Sequence, residues 1–255
     1  MQLFDNGRSS SRIVKESGLK IIMKDIQIGG LVSFTTIDYP GKLAAVLFLM
    51  GCPLRCAYCS NPQFFDVADG PYDPARVLDW LKSRVGRLEA VVFSGGEALM
   101  QGDATIDYMR RVRDLGFAVG LHTNGFYPDV LERAAPFVDW IGIDYKATRE
   151  KYKSLVGNDI AFDRMSRSLD FWIKTGKDME VRVTCDPRFI NRNALRAIVD
   201  DCAARGVKKI AIQKYTPYFD EGPAPTTADA REQFFNDAAL RDYINSKFES
   251  VAWRE

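Results

Sequence analysis

The sequence predicts an α/β protein whose parallel strands form an incomplete barrel. Six apolar, strand-like runs alternate with six helical segments, a rhythm typical of βα units. The motifs that carry Cys, Gly and charged residues follow these strands at their carboxyl ends, where a βα barrel gathers its functional groups. Because a closed barrel has about eight such units, six would leave one side open to a bulky substrate.

The composition excludes several classes of protein. Of the 255 residues, 46% are hydrophobic and 27% charged, as in ordinary globular proteins. The net charge of +1 argues against nucleic-acid binding and against a polybasic membrane anchor. The N-terminus has no signal-peptide core, no apolar run reaches membrane-spanning length, and an odd number of cysteines does not suit a secreted disulfide framework. We therefore expect a cytoplasmic protein that binds neither nucleic acid nor membrane.

The chain contains no repeat and no linker strong enough to divide it. We predict a disordered leader over residues 1–22 and a single domain over 23–255. The core of that domain is expected at about 26–217, and a C-terminal helix at about 227–248.

The first structural elements lead up to a cysteine-rich loop. Alternating apolar residues between Met23 and Thr36 predict a hairpin or edge strand, and Asp38–Gly41 predicts a turn. The apolar run Ala44–Met50 is typical of a strand buried on both faces. Further strands are predicted at 90–97, 117–125, 138–147, 179–187 and 208–217. Helices are predicted at about 74–85, 104–115, 129–135, 162–175, 194–205 and 227–248.

Three of the five cysteines lie on this loop (Cys52–Cys59, the cysteine loop below). Cys52, Cys56 and Cys59 have the spacing C-x3-C-x2-C, which brings three thiolates within reach of one small inorganic centre. Three ligands suit a cubane [4Fe-4S] cluster whose fourth iron has no protein ligand, and an open position is typical of a catalytic metal site.

A zinc-stabilised interaction module is the alternative interpretation of these cysteines. Zinc would need a fourth ligand, for which Cys185, Cys202 and His122 are the remaining soft candidates, none adjacent to the loop. We interpret Cys185 and Cys202 as small core residues. Iron and sulfide analysis separates the two interpretations.

Two motifs carry a family resemblance. The cysteine triad with Tyr58 before its last member, and Gly95–Glu97 (Gly-Gly-Glu) at the end of the next strand, resemble the radical S-adenosylmethionine superfamily. The resemblance covers most of the chain between Ile26 and Pro217. Within that superfamily, Thr36–Lys42 and Ser60–Pro62 resemble activating enzymes of glycyl-radical enzymes, and most closely those of the anaerobic ribonucleoside-triphosphate reductase.

The resemblance implies a partial (β/α)6 TIM-like barrel of the radical SAM type. It implies one [4Fe-4S] cluster held by Cys52, Cys56 and Cys59, with S-adenosyl-L-methionine chelated to the unique iron. Reductive cleavage of that cofactor gives a 5′-deoxyadenosyl radical, which abstracts a glycine Cα hydrogen from a partner glycyl-radical enzyme. A flavodoxin- or ferredoxin-type protein would donate the electron. Since no cysteine lies between Cys59 and Gly95, the chain resembles the compact, single-cluster activating enzymes.

The resemblance also implies a set of cofactor-binding residues, with no catalytic residue beyond the cluster and the cofactor. Glu97 would accept from the methionine ammonium, while Lys146 and Arg182 offer cations to its carboxylate. Tyr58 would stack near the adenine, Gln213 would line the adenosine end, and the glycines would admit close approach. The set is Tyr58, Gly95, Gly96, Glu97, Thr123, Asn124, Asp144, Lys146, Arg182 and Gln213.

Three positions depart from the family pattern. Ser60 stands where the activating enzymes usually carry His, and Ala98 stands where Pro is frequent. His122 occupies a position where some relatives have an Asp that, with the one matched by Asp144, helps to bind a monovalent cation. His122 therefore argues against such a cation site here.

A second enzymatic interpretation stays open at this point. A radical enzyme that acts on a small molecule, such as a deazapurine precursor, would share the cluster and the cofactor. An enclosed polar pocket would favour that interpretation, whereas an open groove would favour a peptide loop of a partner protein.

Overall fold

The computed structural model describes residues 25–216 and 228–255. The predicted leader over 1–22, Met23 and Pro217 lie outside the described residues. The chain falls into two compact units. The first comprises the described residues up to Pro53 with Asn61–Thr123 and Asp129–Trp140, and the second comprises Leu54–Ser60, Asn124–Pro128 and the described residues from Ile141 onward.

The strands of the first unit follow one another in chain order. They are β1 (Ile28–Thr35), β2 (Ala44–Leu49), β3 (Ala90–Gly95) and β4 (Ala118–Thr123). The strand β1 pairs antiparallel with β2 and takes the edge position that its sequence predicts, whereas β2, β3 and β4 pair parallel. In this register Leu49 lies opposite Gly95, so the carboxyl ends of β2 and β3 lie side by side.

The apolar run of β2 is buried as predicted, with only Phe48 half-exposed. Its Val46 packs in a cluster with Val92 of β3, Tyr39 and Trp140. Fully burying a side chain of this size contributes about 1.5–3 kcal/mol. A shift of one strand against the other would break up the cluster, so its burial favours the observed register of the parallel strands.

The second unit also orders its strands along the chain. They are β5 (Trp140–Asp144, whose first residue belongs to the first unit), β6 (Asp178–Cys185), β7 (Lys209–Lys214) and β8 (Ser250–Arg254). The pairs β6–β7 and β7–β8 are parallel. The alternation of strands and helices that the sequence predicts is thus confirmed from β2 to β7.

Eight α-helices connect these strands in the described part of the chain. They are α1 (Pro74–Lys82), α2 (Asp103–Asp114), α3 (Pro128–Ala134), α4 (Arg149–Val156), α5 (Ala161–Thr175), α6 (Arg192–Ala204), α7 (Ala228–Glu232) and α8 (Ala238–Asn245). Among the described residues, no helix combines the length and the apolar composition needed to cross a bilayer. Gly157 and Gly176 end α4 and α5 in the left-handed conformation, which costs glycine little.

Two predictions about the helices are wrong. Helix α4 was not predicted; it is a short and highly charged helix whose buried residues are Tyr152, Leu155 and Val156. The single C-terminal helix predicted at about 227–248 is instead α7 and α8 followed by β8. The side chain of Asp237 accepts from the Leu240 N–H and begins a new helix there, because Asp is a strong N-cap.

The start of α1 gives a test of these local rules. Asp73 accepts from the backbone N–H groups of Ala75 and Arg76, and Pro74 occupies the first turn. We expect Asp73→Ala to lower the free energy of unfolding by about 1 kcal/mol, and the melting temperature by about 2–4 °C. Thermal unfolding followed by circular dichroism measures the change.

The control is Asp79→Ala on the same helix. Asp79 forms an exposed ion pair with Lys82, and exposed pairs contribute little. Equal losses in the two variants would contradict the capping role of Asp73.

Candidate functional site

Backbone hydrogen bonds hold the beginning of the cysteine loop within the first unit. The N–H groups of Gly51 and Cys52 donate to the carbonyls of Phe64 and Phe65, each at 2.9 Å. The Glu97 N–H donates to the Gly51 carbonyl at 2.8 Å. Cys52 is therefore fixed between a short 3-10 turn and the Gly-Gly-Glu motif.

The two glycines of that motif make room for the chain's own backbone. A Cβ on Gly95 would lie 2.2 Å from the Leu49 nitrogen, and Gly95 has a φ of +120°. A Cβ on Gly96 would lie 2.4 Å from the Gly51 oxygen and 2.5 Å from the Phe64 oxygen. Contact of these glycines with the cofactor stays a prediction, while this packing role is one that the sequence analysis did not assign.

Glu97 is buried and fixed by two donors. It is 1% exposed, and its Oε1 accepts from the Leu99 N–H at 3.0 Å and from the Thr123 hydroxyl at 2.7 Å. The first of these bonds caps the 3-10 helix Ala98–Gln101. Two residues predicted to bind the cofactor, Glu97 and Thr123, are thus in direct contact at the ends of β3 and β4.

His122, the one histidine of the chain, lies at the end of β4. Its Nε2 donates to the Asp38 carbonyl at 2.8 Å, and its ring packs edge-to-face on Trp140. The Thr35 hydroxyl donates to the Asp38 carboxylate at 2.6 Å. The histidine therefore ties the end of β4 to the turn Asp38–Gly41.

In the second unit, helix α4 holds the rest of the cysteine loop. The N–H groups of Arg55 and Ala57 donate to the Val156 and Leu155 carbonyls at 2.9 and 3.0 Å. Carbonyls in the last turn of a helix have no partner within the helix. The loop residues on both sides of Cys56 satisfy two of them.

A buried lysine lies next to these loop residues. The Lys146 Nζ donates to Asp144 Oδ2 at 2.9 Å and lies 5.8 Å from the centre of the Tyr58 ring. Burial opposes its positive charge, but the Asp144 carboxylate, Tyr58 and Cys56 raise the pKa of Lys146 well above its usual range. Lys146 is therefore a permanent cation near Cys56 at neutral pH.

Burial also affects the loop itself. It raises the pKa of the Cys56 thiol, while Lys146 opposes this shift and Cys59 and Asp144 add to it. In the protein without a bound metal Cys56 is thus protonated at neutral pH. Metal binding must displace that proton, so it depends on pH.

Arg182 and Gln213 lie on β6 and β7. The Arg182 Nε donates to Glu180 Oε1 at 3.0 Å, and Arg254 donates to the other oxygen of Glu180 at 2.9 Å. A Cβ on Gly142 would lie 2.9 Å from the Arg182 guanidinium, so this glycine gives Arg182 its space. Gln213 is half-buried and pairs in register with Arg254.

The structure also shows residues that the sequence analysis missed. The Tyr215 ring lies 6.3 Å from the Tyr58 ring, and the Arg188 guanidinium lies over Tyr215 at 5.1 Å. Asp186 is fully buried and accepts from Arg188 through both oxygens. The sequence could have indicated these residues by their position directly after β6 and β7, because functional residues in such folds lie at the carboxyl ends of the strands.

The predicted site residues are divided between the two units. Asn124, the residue directly after β4, accepts the Phe126 N–H with its side-chain oxygen at 3.0 Å. The first unit holds Cys52, Gly95, Gly96, Glu97 and Thr123. The second unit holds Cys56, Tyr58, Cys59, Asn124, Asp144, Lys146, Arg182 and Gln213.

The donor set is suited to an iron–sulfur cluster. None of the five cysteines, all of which lie within the described residues, forms a disulfide. Among the described residues no three His, Cys, Asp or Glu side chains are gathered as a metal site, so the ligand assignment rests on spacing and thiolate chemistry. The permanent cation of Lys146 suits the negative charge that thiolate ligands bring.

The fold is similar to that of a solved enzyme structure. SuiB of Streptococcus suis, in a structure bound to S-adenosylmethionine, aligns with a TM-score of 0.63 at 14% identity. The alignment covers 80% of this chain and 48% of SuiB, so the chain spans about half the length of that enzyme. The predicted α/β fold, a parallel sheet of the TIM-like partial barrel type, is confirmed.

The sequence pattern of the Radical SAM superfamily matches residues 46–202, and the chain belongs to this superfamily. It is thus a radical SAM enzyme, and its family implies S-adenosylmethionine and a [4Fe-4S] cluster. The chain is 30% identical over 242 residues to MJ1227 of Methanocaldococcus jannaschii, which carries the name of a glycyl-radical enzyme activating enzyme. That match covers 87% of this chain and 98% of MJ1227.

A second relative is the pyruvate formate-lyase-activating enzyme of Clostridium pasteurianum. It is 29% identical over 167 residues, which cover 62% of this chain and 66% of that enzyme.

The packing at Gly95 leads to a prediction. Gly95→Ala should destabilise the protein strongly, because its Cβ would collide with the backbone of Leu49 and its φ is unfavourable for alanine. Gly86→Ala is the matched control, since Gly86 also has a positive φ but nothing within 4 Å of a Cβ. It should lose only about 1–2 kcal/mol.

The yield of folded protein and chemical unfolding measure both effects. If Gly95→Ala were no less stable than Gly86→Ala, the close approach of β2 and β3 at this level would be refuted.

Proposed function

We propose that this protein activates a glycyl-radical enzyme by abstracting a Cα hydrogen from one glycine of that partner. The main support is the match with MJ1227, which extends over nearly the whole of both chains. The absence of cysteine between Cys59 and Gly95 agrees with a compact, single-cluster activating enzyme. Because Thr36–Lys42 resembles activators of the anaerobic ribonucleoside-triphosphate reductase, we propose that reductase as the partner.

The bound cluster would supply the electron that cleaves the sulfonium of S-adenosylmethionine, and the side chains would bind and orient this cofactor. We assign Cys52, Cys56 and Cys59 as the iron ligands. Lys146 would bind the methionine carboxylate, because it is a buried cation whose charge persists across the physiological pH range. Glu97 would accept from the ammonium group.

The remaining assignments concern the adenosine end and the protein partners. Tyr58, which lies beside Tyr215, would stack on the adenine, and Gln213 would line the same end. A flavodoxin- or ferredoxin-type protein would supply the reducing electron.

The small-molecule alternative has weaker support. It shares the cluster, the cofactor and the barrel, so those features do not favour it. The similarity over nearly the full length of MJ1227 favours a protein substrate instead.

Electron paramagnetic resonance tests the proposed activity. The reconstituted enzyme is incubated without oxygen with the reductase, S-adenosylmethionine and a reductant, and a glycyl-radical doublet should appear on the reductase. Cys56→Ala should lose both the cluster and the doublet, because two thiolates do not retain the cubane. Cys202→Ala is the control: it removes a buried thiol far along the chain from the loop and should keep the iron.

Pyruvate formate-lyase serves as a second acceptor in the same assay. A doublet on pyruvate formate-lyase alone would overturn the choice of partner but not the activity. Cofactor cleavage without a doublet on either acceptor would overturn the proposed function.

The role of Lys146 has its own test. Lys146→Met should weaken S-adenosylmethionine binding by at least about tenfold, because a charge-assisted hydrogen bond contributes about 1.5–3 kcal/mol. The control is Lys153→Met on α4, an exposed lysine paired loosely with Asp159, which should leave the affinity unchanged. Isothermal titration calorimetry on the oxidised, cluster-loaded protein gives both constants, and equal affinities in all three proteins would exclude Lys146 from the site.

A further inference from the structure

Strand β6 has an apolar face and a charged face. Val181, Val183 and Cys185 are fully buried, and Glu180 and Arg182 alternate with them along the strand. Because successive side chains of a strand point to opposite faces, Glu180 and Arg182 lie on the same face. Only 10% of the Arg182 side chain and 8% of the Glu180 side chain are exposed. Charges that are buried to this extent require partners.

The Glu180 carboxylate lies between two arginines. Its Oε1 accepts from the Arg182 Nε at 3.0 Å, and its Oε2 accepts from the Arg254 Nη2 at 2.9 Å. We call these three side chains the Glu180 cluster. One carboxylate and two guanidinium groups together carry one net positive charge. A largely buried excess of positive charge is stabilised when an anionic group binds beside it.

Arg254 reaches this cluster from two strands away. It is the last residue of β8 and pairs in register with Gln213 of β7, so its side chain extends over β7 to reach β6. Neighbouring strands lie about 4.8 Å apart, so a long side chain is needed to span two of them. Ala211 of β7 pairs with both Arg182 and Ala252, which places a small residue on this face of β7. The sequence thus leaves room for the Arg254 side chain to cross the sheet.

The Arg182 guanidinium is held from two directions. Glu180 accepts from its Nε, and a Cβ on Gly142 would lie 2.9 Å from its Cζ, so the group lies against the backbone of Gly142. The donors of a guanidinium form a rigid planar fork. A fork that is bound at Nε and packed on one side has a fixed direction.

We propose that Arg254 is a positioning residue of the cofactor site, which acts through Glu180 to orient Arg182 toward the carboxylate of S-adenosylmethionine. Arg254 occupies one oxygen of Glu180 and thereby limits Arg182 to the other. Without Arg254, the buried carboxylate would turn both oxygens to Arg182 as a bidentate pair, which would neutralise that arginine and redirect its fork. The inference rests on the cofactor role predicted for Arg182 and not on the identity of the partner.

A double-mutant cycle tests this role. Isothermal titration calorimetry with S-adenosylmethionine is carried out on the oxidised, cluster-loaded parent, Arg254→Met, Arg182→Met and the double variant, at equal iron content. Arg254→Met should bind the cofactor about tenfold more weakly, the loss expected when one charge-assisted hydrogen bond is misplaced. The double variant should bind no more weakly than Arg182→Met, because Arg254 acts only through Arg182.

Two further variants separate positioning from general packing of β8. Arg254→Lys keeps a cation for its single contact with Glu180 and should recover most of the lost affinity. Arg241→Met is the matched control, because Arg241 stacks on Trp253 of β8 at 4.6 Å and donates to the Phe235 carbonyl. Trp253 points to the opposite face from Arg254. The control should therefore lower the melting temperature and leave the cofactor affinity unchanged.

Any of four results would overturn the inference. They are the parent's affinity in Arg254→Met, the parent's affinity in Arg182→Met, losses that add in the double variant, and an equal loss in Arg241→Met. The titration contains no partner protein, so its outcome is independent of whether a glycyl radical forms.

Discussion

The site depends on backbone hydrogen bonds that fix the cysteine loop before any metal arrives. In the first unit the Cys52 N–H donates to Phe65, and in the second unit the Ala57 N–H donates to the last turn of α4. If the loop supplies three thiolates to one cluster, as proposed, it loses little conformational entropy on binding because its backbone is already held. Regular elements of the fold, a 3-10 turn and a helix end, therefore hold the backbone of the loop that carries the three proposed ligands.

Charge is the second constraint. The site of a thiolate-ligated cluster gathers negative charge, and burial raises the pKa of the Cys56 thiol in the metal-free protein. Lys146 opposes that shift. The carboxylate of Asp144, which is paired with Lys146, keeps the lysine protonated. We infer that the same lysine serves twice, as a counter-charge near a ligand and as the cation for the cofactor carboxylate.

Much of this was predictable from the sequence, for identifiable reasons. The cysteine spacing and the Gly-Gly-Glu motif are short patterns of residues close together in the sequence. The alternation of strands and helices likewise shows in the periodicity of the apolar residues. The helix α4 was missed because Arg149–Val156 is short and half of its residues are charged, although Tyr152, Leu155 and Val156 have helical spacing. Position 95 requires glycine because the backbone of Leu49 packs against it, and Leu49 lies far away in the sequence.

The most direct test of the account is Mössbauer spectroscopy of the anaerobically reconstituted protein, with 57Fe, before and after addition of S-adenosylmethionine. The account predicts about four irons per chain in a cubane, of which one alone changes its spectrum when the cofactor binds. A protein that retains zinc instead of iron would contradict it. So would a cluster in which all irons respond alike, because no iron would then be open to the cofactor.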